Sequence, residues 1–238
     1  MVEVLTLLTM ITNVCRRVGE PVPNVVVTST DATVQQMLSF ANEEGTELMK
    51  YGDWRKLRKQ KIFLTLNQEE QTGMVPSDLG KWLDESFWNR SARRPLWGPI
   101  DPQLWQAWKA FQTFPVMDVF YMEGDNILVQ PIPEANETFA FAYTSNLWCQ
   151  SAAGVKQSEW LADDDTGILS ERVMTLAIMY RYLQARGLAY ESAYEQFDIQ
   201  RRQELAQDSP RSTQSFANAN SWWARRPGIV VSEGNWPV

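Results

Sequence analysis

The hydrophobic period of this chain changes twice along its 238 residues, and no all-helical or all-β fold accommodates both changes. Up to Trp54 apolar side chains recur every three or four residues. From there to about residue 150 they mostly alternate, around one short helical stretch, and after Asp165 the helical spacing returns. A helical stripe and a pleated face each need a complementary surface, so the expected class is α+β. The expected architecture is a helical bundle from N- and C-terminal helices with an inserted antiparallel β domain and an extended C-terminal arm. The boundaries fall at residues 1–54 and 151–210 for the bundle, 55–150 for the insertion and 211–238 for the arm.

The first helix is predicted from about Glu3 to Val18, with Val4, Leu7, Leu8, Ile11, Val14, Cys15 and Val18 on one stripe and Gly19 closing it. A second starts at the Ser29-Thr30-Asp31 cap and runs to about Tyr51. Its mid-helix Gly45 points to a close helix–helix approach. Strands are predicted over Lys59 to Leu66, Trp82 to Trp88, a hairpin of Val116 to Met122 with Asn126 to Pro131 around Glu123-Gly124-Asp125, and a half-buried strand from Thr138 to Cys149. Between them Phe87 to Phe114 concentrates aromatic groups, and Asp101-Pro102 begins a helix carrying Leu104, Trp105, Trp108 and Phe111. One of Trp105 and Trp108 is expected in the core and the other at a boundary. Two more helices follow, from about Ile168 to Arg186 and from Ala189 to Gln207; Pro210 ends the second.

Composition excludes several chemistries. The chain has no histidine, which removes the commonest general base and transition-metal ligand. Its formal charge of −7 argues against a general phosphate-binding surface, though not against local basic patches. Cys15 and Cys149 stand in no ligand-spaced pattern and are expected to be buried thiols, so neither a metal nor a cofactor is called for. The start MVEVLTLLTMI carries Glu3 where a signal peptide needs positive charge, and no apolar run is long enough for a membrane span. A soluble intracellular chain is expected.

No P-loop, GxGxxG, HExxH or nucleophile elbow occurs. Asp163, Asp164 and Asp165 read as negative charge at the start of a helix, and Glu43-Glu44 and Glu69-Glu70 as solvated surface. Arg93, Arg94 and Asn89 interleave with rings, as either cation–π partners or a polar rim. The cluster Arg55, Lys56, Arg58, Lys59 and Lys61 is a possible DNA or subunit contact; equally, alternating lysines protect an exposed sheet edge from pairing.

Four stretches carry a likeness to a known group: CysArgArgValGly with ProValPro (residues 15 to 23), AlaAsnGluGluGly with AspTrp (41 to 54), ValProSerAspLeu (75 to 79), and TrpAsnArg…ArgArgProLeuTrpGlyPro…GlnLeuTrpGlnAla (88 to 107). Together they resemble the head-to-tail adaptor proteins of short-tailed bacteriophages, the tail tubular protein A or connector-like group. The resemblance covers roughly residues 1 to 205. It implies a structural virion protein without enzymatic activity, in a twelvefold homo-oligomeric ring that joins the portal protein to the tail nozzle and lines the channel for genomic DNA. It also implies a place in the virion tail at the portal vertex, after synthesis in the host cytoplasm.

The arm has no helical period yet carries Phe216, Trp222, Trp223, Ile229, Val230, Val231 and Trp236, with Arg225 and Arg226 beside two of the rings. That is the composition of a docking segment, expected to reach a neighbouring subunit or the portal, with packing back on its own subunit as the alternative; Gly228-Ile229-Val230-Val231 is suited to adding a strand to an exposed sheet edge. The rival reading is a carbohydrate-binding or cell-wall-degrading tail component with a tryptophan-lined cleft.

Overall fold

A computed structural model of the protein describes residues 5–111 and 117–208. Helices α1 (Leu7–Val18) and α2 (Ala32–Tyr51) open the chain, and a 3-10 turn (Arg55–Leu57) leads into β1 (Arg58–Leu64). Next come β2 (Glu70–Gln71), β3 (Leu79–Trp82), β4 (Trp88–Asn89), β5 (Arg94–Pro95) and α3 (Pro102–Phe111). The chain continues through β6 (Val119–Glu123), β7 (Asn126–Gln130), β8 (Thr138–Ser145), β9 (Cys149–Gln150), β10 (Lys156–Gln157) and β11 (Thr166–Gly167), then α4 (Glu171–Ala185) and α5 (Glu191–Asp208). The fold is α+β, with helices and antiparallel sheets on separate stretches of chain.

The first core is helical. The Thr6 hydroxyl accepts the Thr9 N–H and caps α1, so the helix starts after the expected Glu3; Gly19 ends it at φ 78°. Asp31 caps α2 by accepting the Thr33 N–H. Helix α4 touches α1, α2 and α5, and Val173, Met174, Thr175, Leu176, Ala177, Ile178, Tyr180 and Tyr182 are all buried. These residues go all the way round the helix, which therefore has no solvent face of the kind a single apolar stripe implies.

The second core lies between two sheets. In the larger, β8 pairs antiparallel with β1 on one side, from Arg58↔Thr144 to Leu64↔Thr138, and with β3 and β4 on the other; β5 pairs with β4. Flanked on both sides, β8 is almost wholly buried rather than half-buried. The smaller sheet has β7 between β2 and β6, and Gly124-Asp125 forms the two-residue loop of the expected hairpin. Phe63, Phe87, Phe139 and Phe141 from one sheet meet Phe120, Ile127 and Val129 from the other. Trp82 stacks on Phe141 at 4.1 Å between centroids. The single strand expected from Trp82 to Trp88 is two, because Glu85 turns the chain at φ 57°.

Helix α3 lies over the smaller sheet, where Trp105 is buried and stacks on Tyr121 at 5.4 Å while Trp108 is half-buried. Lys109 pairs with Glu69 from the β2 side. Glu69 is thus tied to α3 rather than free on the surface.

Two carboxylate expectations are overturned. Asp163 and Asp165 are not helix-end charges, since α4 begins only at Glu171 behind Ser170. The Asp163 carboxylate accepts the N–H groups of Val26 and Val27, and one oxygen of the buried Asp165 accepts those of Leu161 and Ala162. Their backbone carbonyls accept from Leu8 and Leu7 at the start of α1. This acidic run closes loops against the first helix; Asp164 alone is exposed.

Gly45 marks a close approach, but of a ring rather than a helix. The Trp148 indole, buried between β8 and β9, lies so near that a Cβ on Gly45 would come within 2.4 Å of it. Trp148 meets Trp160 edge-on at 5.3 Å, and through it the end of β8 is seated in a notch of α2. Helix propensity alone would favour alanine at position 45 by about 1 kcal/mol. The overlap reverses the sign, and Gly45→Ala is expected to lower unfolding free energy by about 1–3 kcal/mol in urea titration. A stability gain would mean that the ring does not occupy the notch.

Candidate functional site

The four stretches that carry the family resemblance are occupied with holding the fold. Cys15 is buried and its thiol contacts Met37. Trp54 is buried and its indole N–H donates to the Leu48 carbonyl at 2.7 Å. Asp78 receives Lys59 at 2.5 Å, the Tyr143 hydroxyl at 2.9 Å and the Ser145 hydroxyl at 2.7 Å, which ties the approach to β3 to both β1 and β8. Burial pushes the Asp78 carboxyl up, but the hydrogen bonds from Lys59, Ser145 and Tyr143 outweigh it and hold it below the ordinary range. Gly98, at φ 149°, lies where a Cβ would meet the Phe120 carbonyl at 2.4 Å.

The Asn89, Arg93 and Arg94 group makes a polar rim. Asn89 is buried, donates to Glu137 at 3.0 Å and accepts the Ala92 N–H at 2.9 Å. Arg94 pairs with Asp118 at 2.5 Å, and Arg93 occupies the tip of the β4–β5 turn at φ 57°. On the helical side, Arg201 lies 3.8 Å from the Tyr51 ring centroid, tying α5 to the end of α2.

Of the basic cluster, Lys59 is occupied by Asp78, whereas Arg55, Lys56 and Arg58 are exposed and Lys61 is half-buried. All five lie along β1 or the turn before it. Beyond them the same strand and the residues just after it leave Ile62, Leu64 and Leu66 exposed by 51%, 55% and 39%. This surface is half basic and half apolar, on a strand whose only partner among the described residues is β8. Sequence reading found the charge but missed the apolar half, because period 2 assigns alternate residues to opposite faces without saying which face is covered. The expected arm contacts, Phe216, Trp222, Trp223, Arg225, Arg226, Ile229, Val230, Val231 and Trp236, lie outside the described residues.

Other chemistry is sparse. Among the described residues no group of three acidic, cysteine or histidine side chains is placed to hold a metal ion, and no helix is long and apolar enough to cross a membrane. Burial pushes the Cys149 thiol up to about 12, which leaves it an inert core group. A groove of about 550 Å³ runs between α1, α4 and α5, lined by Arg17, Arg172, Gln196, Ile199 and their neighbours, with no aromatic ring in it.

Another perturbed carboxylate is Glu44, expected on the surface and found buried on α2. Arg181 of α4 donates to it from Nε at 3.1 Å and Nη2 at 3.0 Å, and also pairs with Glu43 and Glu47 at 3.0 and 2.7 Å. Nothing in the local sequence reveals this, because the partner lies 137 residues away. Burial raises the Glu44 carboxyl to about 7, with Arg181 opposing the shift.

Sequence comparison finds no known protein family and no characterised protein that matches the chain.

Two expectations follow from these carboxylates. Asp163→Ala strips acceptors from two backbone N–H groups, and Asp165→Ala does the same for two others; each is expected to cost about 2–4 kcal/mol, with Asp164→Ala near zero. Equal effects at all three positions in urea titration would refute the loop-anchoring role. Glu44, for its part, keeps a proton in the folded state that the unfolded chain releases above its ordinary value of 4.5. Its contribution is therefore full below about pH 4.5 and is lost as pH rises through about 7. Over that window the wild type is expected to lose roughly 3 kcal/mol relative to Glu44→Gln, read from paired thermal melts; parallel curves would count against it.

Proposed function

We propose that this protein is a structural virion component, the head-to-tail adaptor of a short-tailed bacteriophage. In this reading it forms a twelvefold homo-oligomeric ring in the tail at the portal vertex, between the portal protein and the tail nozzle, and has no enzymatic activity. Genomic DNA passes through the ring, and the protein is made in the host cytoplasm before assembly.

The observation that carries the proposal is the structural use of the four family-like stretches. Cys15, Trp54, Asp78 and Gly98 each occupy a packing or hydrogen-bonding pivot, which is how a shared pattern reads when a family has a scaffold in common rather than a reaction. Helices from both ends of the chain share one core, with the sheets formed by the residues between, and this suits the architecture that the resemblance implies. The acidic total charge suits a channel that must not hold DNA. Exposed Arg55, Lys56 and Arg58 are then candidates for contact with a neighbouring subunit or with DNA at the rim of the ring, and Trp222, Trp223, Arg225 and Arg226 of the arm are the candidate contacts with the portal or a neighbour.

The carbohydrate reading has less to rest on. Trp54, Trp105, Trp148 and Trp160 are buried, and Trp82 is stacked in the sandwich core.

Native mass spectrometry of the purified full-length chain tests the proposal. The expected result is a closed ring of many copies, with twelvefold views in electron micrographs when portal protein is added. A monomer that binds cell-wall saccharides and ignores the portal would replace this reading with its rival.

A further inference from the structure

We infer that the outer edge of β1 is the docking site for residues Gly228 to Glu233 of the same chain, which add to the larger sheet as a strand antiparallel to β1. The edge has the form of an acceptor. Thr65 donates to the Glu137 carbonyl on the β8 side, so by alternation the odd-numbered residues of β1 turn their backbone groups toward β8. Gln60, Ile62 and Leu64 turn theirs outward, where no strand among the described residues pairs with them. Their side chains share the exposed face that carries Ile62 and Leu64, a long apolar edge of the kind that recruits another strand.

The occupant is indicated by where the described chain stops. The Asp208 carboxylate at the end of α5 accepts the Arg55 N–H, which fixes the departure point of residues 209–238 at the foot of β1. Nineteen residues, 209 to 227, lie between that point and the segment. A chain of that length can reach at most roughly 60 Å, and the seven residues of β1 are roughly 23 Å long. The chain therefore reaches the Leu64 end and returns along the strand, at the high effective concentration of an intramolecular partner.

The chemistry matches along that path. Setting Ile229 and Val231 opposite Leu64 and Ile62 covers the exposed apolar face. It places Val230 beside Phe63 at the border of the sandwich core, and brings Glu233 opposite Gln60, diagonal to exposed Arg58. It also leaves Trp222, Trp223, Arg225 and Arg226 in the connection at the Leu64 end, free to meet another molecule. Both halves of the docking lie on one chain, so it does not depend on ring formation.

Amide hydrogen exchange on the full-length chain tests this, with Val231→Pro removing from the proposed strand an N–H that faces β1. The variant is expected to speed exchange at Gln60, Ile62 and Leu64 by on the order of tenfold or more, leaving Lys61 and Phe63, bonded toward β8, unchanged. Identical rates in both proteins at those three amides would overturn the inference. A second measurement assigns the source of the strand. Ile62→Cys and Val231→Cys in one chain should be joined within that chain by a short bis-maleimide, since Cys15 and Cys149 are buried. Linkage only between chains, in a mixture of the two single variants, would overturn docking by the chain's own segment.

Discussion

Helix α4 has no face to give to water, and that requirement organises the helical part of the molecule. Its residues from Val173 to Tyr182 are covered on one side by α1 and α2 and on another by α5. A helix buried all round is stable only when several neighbours exclude solvent together, so α1 and α2 have to wait for chain more than a hundred residues away before their own apolar stripes are covered. The loops that carry Asp163 and Asp165 make this possible. They hold the start of α1 and the Val26–Val27 turn against the chain just before α4, with carboxylates where helix or sheet hydrogen bonds are not available.

Arg181 works on the same principle deeper in the helical core. Its guanidinium gathers three glutamates from successive turns of α2, of which only Glu44 is desolvated. Removing one partner from such a group leaves a buried charge without compensation, so the arrangement fixes how α2 and α4 meet more than it adds to stability. The sandwich interior is by contrast mostly phenylalanine and aliphatic side chains, with the Asp78 and Asp118 ion pairs at its border.

What was legible in the sequence follows from the range of each signal. Caps and periods are local, and so α2, the Gly124 hairpin, β1 and the ends of α4 and α5 fall within a few residues of where the pattern puts them. The burial of Glu44, the loop-closing use of Asp163 and Asp165 and the partner of Gly45 are set by residues distant in the chain, and no window of neighbouring residues contains them. The two-residue strands β9, β10 and β11 are too short to show any period. For the candidate surface, the positive charge of Arg55 to Lys61 was visible because charge is read residue by residue. The exposure of Ile62 and Leu64 was not, because which face of a strand is covered is decided by what the rest of the sheet packs against.

The seating of Trp148 in the notch of α2 has an evolutionary consequence. One indole from the end of the sandwich sits where a glycine interrupts the helical core, so positions 45 and 148 form a single unit of volume divided between two layers. Neither can drift alone: a methyl group at 45 demands a smaller ring at 148, and a smaller ring demands something to fill the space it leaves. Descendants of this chain should therefore change at the two positions in the same lineage, and each such paired change would reset how the sheets meet the helices while leaving the other residues of both cores in place.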